Sequence, residues 1–337
     1  QASWKSFKQS GRVGIGSLIK EAQKEGFVLS DDTVTVSPEK LAAEKKMREE
    51  RAAKAEKDRL HRAEAAAKRA QSQWRMAAIE GVSPYLERKQ VLPEACRFLP
   101  DGSIIVPMMR YDFDKPRMVG KQQISPDGSK KYSGGMDKHG AACRLGAPPE
   151  NGDVLMVGEG FATGLSVRMG VEHRHPFFVA FDTSGLLPLA QILRAKYPAS
   201  PILFCADDDY LTGCKGLEKA QAAAHVVGNA QVVLPQFVAQ RRKTKDDDFL
   251  PMLTDFNDLH VAESLDVVRE QLAGAIVKLG AEPGAEVSSA SLLACASHPD
   301  TVPPLPLDSP AAPEVVGLVT LEWALAHCAL VQGSTDV

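Results

Sequence analysis

The sequence predicts a doubly wound α/β domain, and three observations carry that expectation. Four short, largely apolar runs at residues 154–157, 177–181, 202–206 and 231–234 each end in turn-forming or acidic residues. Stretches with helical spacing separate them. Carboxylates then gather directly behind the first and third runs, as Glu159 and as Asp207-Asp208-Asp209. Strands buried on both faces of a parallel sheet read as continuous apolar runs, and strand–helix alternation brings right-handed crossovers with it.

Each element follows in chain order. Residues 1–37 read as the end of an upstream helical module or tail; Gly14 and Gly16 precede Ser17 and Leu18, so no Walker loop is formed. The first residue is Gln rather than Met, and the chain is expected to be part of something longer. Residues 38–76 read as one long charged helix. Its stretch 40–70 lacks Pro and Gly and is laced with pairs such as Glu64 and Lys68. Its apolar positions are few and small, which gives no heptad seam and suggests a solvated spacer, with a nucleic-acid arm as the alternative. Residues 77–150 form a basic subdomain, with a strand at 102–111 and a hairpin turn at Ser125-Pro126-Asp127-Gly128-Ser129.

The α/β core spans residues 151–278. A helix at 162–169 follows Glu159, and the second strand ends at Asp182-Thr183-Ser184-Gly185. Leu186, Leu187, Ala190, Leu193 and Tyr197 recur at helical spacing until Pro198. A further helix at 217–227 closes on Gly228-Asn229, and Pro235 ends the fourth strand. Leu265, Val268, Leu272 and Ile276 mark a last amphipathic helix. Residues 279–315, rich in Pro, Ser and Ala, read as a flexible linker, and 316–337 as the start of a truncated further domain.

Ligands of such sheets gather at the carboxyl ends of the strands, so Glu159, Asp207 and Asp209 point into one crevice. Carboxylates brought together there repel unless a cation lies among them. Mg²⁺ or Mn²⁺ is the expected cofactor, held by Glu159, Asp207 and Asp209 with Asp208 as a further candidate. Asp182, Asp255, Asn257 and Asp258 are accessory candidates; Asp255 and Asp258 read equally as a turn and a helix N-cap.

Glu159 in Gly-Glu-Gly-Phe-Ala-Thr-Gly, followed by Ala206-Asp207-Asp208-Asp209 and later by Asp255-Phe256-Asn257-Asp258, resembles the Toprim domain of bacterial-type primases, topoisomerases and some nucleases. The form is most similar to primases of conjugative plasmids and satellite phages, over roughly residues 77–275. The resemblance implies a Toprim fold: a Rossmann-like, mostly parallel sheet with flanking helices, preceded by a small α+β subdomain and the long charged helix. It implies a DNA primase, a nucleotidyltransferase of the DNA-directed RNA polymerase type. Its partners would be single-stranded DNA, ribonucleoside triphosphates and a helicase-like domain or protein, in replication or conjugation of a mobile element in the bacterial cytoplasm. Carried over, Asp207 and Asp209 hold the metal, while Glu159 is either the general base or a ligand of a second metal. Two alternatives stand: a metal-dependent nuclease using the same carboxylates, and a non-catalytic single-stranded-DNA-binding module. Five tyrosines in 337 residues leave little room for a topoisomerase.

Charge locates the partner surface. The net charge is −3, yet residues 110–144 carry eight Lys or Arg against four acids. Lys121, Lys130, Lys131 and Lys138 are the candidate phosphate or nucleotide contacts. Six scattered cysteines without a Cys-x-x-Cys pair give neither a zinc site nor a disulfide framework within the chain. No apolar run approaches the roughly 18 residues of a membrane span.

Overall fold

The computed structural model describes residues 15–26, 38–211, 213–242 and 249–280. The linker and further domain expected after residue 280 lie outside these residues, as does most of the tail before residue 38. The chain divides into two units, residues 1–57 and 58–337. In the first, helix α1 (Ile15–Lys24) carries an exposed Lys24–Glu21 ion pair of 3.0 Å. Helix α2 (Pro38–Met76) starts there, and its residues 39–57 are exposed throughout.

The later part of α2 belongs to the second unit and is no solvated spacer. Ala66, Ala70 and Trp74, spaced by one turn each, are buried. Small residues on that stripe let the helix backbone approach a neighbour closely, and Trp74 joins a core with Ile105, Met109 and Met118. Gln71 donates to the Met118 carbonyl at 3.1 Å, and Arg97 stacks on the Trp74 ring at 4.9 Å.

The described residues of this unit contain two sheets. An antiparallel sheet runs β1 (Arg97–Phe98), β2 (Ile104–Arg110), β3 (Arg117–Ile124), β4 (Lys130–Tyr132) in spatial order. The predicted hairpin joins β3 to β4: Asp127 accepts from the Ser129 N–H at 2.8 Å, and Gly128 takes φ 91°. The short helix α3 (Pro84–Arg88) lies before β1.

The second sheet contains β5 (Cys143–Leu145), β6 (Leu155–Gly158), β7 (Phe177–Val179), β8 (Ile202–Cys205) and β9 (Ala230–Val233), in the order β5-β7-β6-β8-β9. Strands β6 to β9 are mutually parallel, and β5 pairs antiparallel with β7. All four predicted strands are present, to within a residue or two at their ends. The edge strand β5 has no counterpart in the sequence reading.

Helix α4 (Phe161–Gly170) packs with α7 (Phe256–Ala262) and α8 (Leu265–Lys278). Helix α5 (Thr183–Lys196) packs with α6 (Lys215–Val227). Alternation along β6 separates the two cores: Met156 meets Phe161, Leu165, Phe256 and Leu272, whereas Leu155 and Val157 meet Leu186, Leu193 and Ala220. Chain direction therefore reverses at β6 and β8. From β6 the chain moves one way across α4 to β7; from β8 it moves the other way across α6. A doubly wound sheet opens its ligand crevice at that reversal, outside the carboxyl ends of the two strands.

A buried ion pair ties the subdomain to this core. Arg168 of α4, 2% exposed, makes a two-pronged contact with Glu94 at 3.0 and 3.1 Å and donates to the carbonyls of His173 and His175. Among the described residues no helix is long and apolar enough to cross a membrane.

Candidate functional site

The register of the sheet places the acidic residues side by side. Gly158 pairs with Cys205, so Glu159 and Ala206 leave the sheet at the same level on adjacent strands. Gly158 has to be glycine: a Cβ there would lie 2.7 Å from the Phe177 ring and 2.9 Å from the Cys205 carbonyl. Glu159 Oε1 and Asp207 Oδ1 are both buried without a hydrogen-bond donor. Buried carboxylate oxygens of this kind are rare because their desolvation is uncompensated.

The third member joins them across the start of α6. A Cβ on Gly216 would stand 3.1 Å from Asp209 Oδ2 and 3.2 Å from Glu159 Oε1. Both carboxylates thus face one point, held open because residue 216 carries no side chain. Electrostatics registers the crowding. Burial first, then the charges of Asp209 and Asp182, pushes Glu159 up to about 7. Burial, with the charges of Asp255, Glu159 and Asp209, holds Asp207 far above the usual carboxylate range.

Glu159, Asp207 and Asp209 are thus brought together, and Asp208 is not. Its carboxylate turns to Arg241 at 2.7 Å, and its N–H donates to the Thr254 carbonyl at 2.8 Å. Among the described residues no three His, Cys, Asp or Glu side chains form a ready-made metal cage. Mg²⁺ needs none: it binds through one or two carboxylates and completes its shell with water and substrate phosphates. An all-oxygen donor set with two partnerless buried oxygens fits that cation.

The accessory candidates have structural work. Asp255 is the N-cap of α7, accepting from the N–H groups of Asn257 and Asp258 at 2.8 Å, and Asp258 answers in a capping box. Asn257 is buried, donating to the Lys89 carbonyl at 2.8 Å and to Ser166 Oγ at 2.9 Å. Asp182 caps α5 through the Gly185 N–H and forms an ion pair with Lys138. These contacts outweigh its burial and hold it below the usual carboxylate range.

The four lysines separate. Lys130 and Lys131 lie exposed on edge strand β4. Lys121 is drawn into β3, bonded to Gln123 at 2.8 Å, and burial lowers its pKa. Lys138 packs on the Tyr132 ring at 4.2 Å beside its Asp182 partner. Tyr132 in turn donates to the Phe181 carbonyl at 3.2 Å. Phe181, two residues beyond β7, holds a left-handed φ of 70°, a strained conformation for a bulky residue. No sequence signal marks Phe181 or Arg241; Gly216 is visible only as a break before a helix.

No family model matches the chain. Two curated relatives, both DNA primase TraC from Escherichia coli, align with it. The first is 29% identical over 186 residues, covering 53% of this chain and 12% of the relative. The second is 30% identical over 210 residues, covering 58% of this chain and 19% of the relative. The chain therefore spans about an eighth and a fifth of the length of these relatives. Among solved structures, the primase fragment of the bacteriophage T7 primase-helicase protein aligns with 58% of this chain and 74% of its own. Its TM-score is 0.38 and its identity 16%.

Proposed function

We propose that the chain is the catalytic part of a DNA primase of Toprim type, joining ribonucleotides into short primers on single-stranded DNA. The observation that carries this reading is the pair of buried, partnerless carboxylate oxygens of Glu159 and Asp207 at the strand reversal. The sequence similarity to two DNA primases supports it.

Asp207 and Asp209 would hold Mg²⁺, with Glu159 beside them on the neighbouring strand. When bound, Mg²⁺ supplies charge neutralisation at the reacting α-phosphate and at the triphosphate leaving group. The residues supply the rest. Glu159 would be either the general base for an attacking 3′-hydroxyl or a ligand of a second metal. Asp208 is engaged by Arg241 rather than by the crevice. Lys130 and Lys131, on an exposed edge, are placed to meet backbone phosphates without reading sequence.

The test is primer synthesis on defined single-stranded templates with labelled ribonucleotides and Mg²⁺, comparing the wild type with Asp207→Asn. The wild type should extend, and the variant should lose at least about 100-fold in rate, equivalent to about 3 kcal/mol of barrier. Asp207→Asn should fold as well as the wild type, because the substitution keeps the size of the side chain and opens no cavity. Template cleavage in place of nucleotide incorporation would convert the reading to a nuclease.

A further inference from the structure

The middle residue of the acidic triplet has an unusual amount of structure devoted to it. Asp208 pairs with Arg241 at 2.7 Å, and both side chains are mostly buried. The same guanidinium lies over two aromatic rings, Tyr210 at 4.4 Å and Phe237 at 4.9 Å. It also donates to the Leu253 carbonyl at 3.2 Å. The Asp208 N–H donates to the Thr254 carbonyl, one residue before the Asp255 cap, and the Tyr210 hydroxyl donates to the Arg242 carbonyl. One side chain thus joins the acidic loop, the segment after β9 and the entry to α7.

We infer that Arg241 is a positioning residue for the crevice: it holds Asp208 away so that Asp207 and Asp209, its neighbours on either side, are turned together toward Glu159. Asp207 and Asp209 flank Asp208 directly, so anchoring the middle residue of the three constrains both neighbours. An unanchored Asp208 would be free to rotate, and the two-residue spacing would no longer define one site. A planar guanidinium suits this role, since it bridges carboxylate and carbonyl while stacking on two rings; an ammonium cannot do all three. The inference rests on reading Asp207 and Asp209 as the metal-holding pair.

Clamping and plain electrostatics predict opposite signs. A guanidinium near a cation site repels the cation, so an electrostatic role alone means that Arg241→Ala tightens metal binding. Clamping means that it weakens binding. The experiment titrates Mn²⁺ into the full chain without nucleotide, read by electron paramagnetic resonance. It compares the wild type with Arg241→Lys, Arg241→Ala, Asp208→Ala and the Asp208→Ala/Arg241→Ala double variant, and measures the Mg²⁺ midpoint for primer synthesis in parallel. Outer residues that orient metal ligands are worth about 10- to 100-fold in affinity. Arg241→Ala should therefore bind Mn²⁺ at least about tenfold more weakly, Arg241→Lys should shift the same way, and the double variant should lose no more than Arg241→Ala alone. If Arg241→Ala proves poorly folded, Arg241→Lys decides, with thermal unfolding as its control. Equal or tighter Mn²⁺ binding by a folded Arg241 variant, beside a wild type that binds, overturns the clamp and leaves the proposed function standing. A wild type that binds no Mn²⁺ and makes no primers overturns both.

Discussion

Glu159 is the residue whose environment departs furthest from what a loop glutamate would choose. Its Oε1 is buried without a donor, next to Asp209 and under the influence of Asp182. We expect Glu159→Gln to lose the chemical step by about 100-fold or more while template affinity, measured by anisotropy, stays within about twofold. Parallel loss of both would assign Glu159 a structural role. The convergence of Glu159, Asp207 and Asp209 was legible in the sequence because each follows a buried strand, where the topology gathers ligands. Asp255 was legible only as a choice between cap and site, since spacing cannot tell which N–H groups a carboxylate meets. The structure makes it a cap, yet its charge still bears on Asp207. Asp208 and Arg241 meet across 33 residues of chain, and no local pattern announces such a pair.

Elements differ in how openly the sequence declares them. Strands β6, β7 and β8 are apolar on both faces, which is what a central parallel strand requires, and β9 is a half-buried edge strand; all four could be read within a residue or two. Strand β5 is three residues long, with Arg144 between Cys143 and Leu145, too short to show a period. Helix α2 misled for a different reason: its buried stripe is built from Ala66, Ala70 and a single Trp74, and alanine in a charged helix looks like solvent-facing filler. The link between α4 and the subdomain was equally hidden. Burial alone would raise Glu94, but His173, 3.7 Å away, and the charge and hydrogen bonds of Arg168 outweigh it and hold Glu94 at about 2. A folded pKa below the unfolded value stabilises the protein above the unfolded pKa, and that contribution fades as pH falls from about 4.5 toward 2. It amounts to on the order of 3 kcal/mol. Urea unfolding of Glu94→Gln against wild type should show a deficit of that order at pH 7 that shrinks toward pH 2. A constant deficit would show that Glu94 contributes by packing rather than by charge.

At the scale of the whole molecule, the proposed function divides the labour: the exposed basic edge would hold a template and the acidic crevice would join nucleotides. Lys130→Ala/Lys131→Ala should weaken binding to all single-stranded sequences alike and lower the salt slope by about one to two, with the metal requirement unchanged. An unaltered salt slope would make both lysines ordinary surface residues. The division also gives Gly216 a meaning beyond the local fit. It occupies the second position of α6, where alanine would favour the helix by roughly 0.5–1 kcal/mol. The chain forgoes that gain because a methyl group would press on Asp209 and Glu159 at 3.1 and 3.2 Å. Gly216→Ala should keep every acid and every lysine and still lose extension in a primer-synthesis assay, with thermal unfolding as its control. Mixed with wild type on limiting template, such a protein would be a squatter: it would occupy start sites at full affinity and silence them in proportion to its share of the mixture.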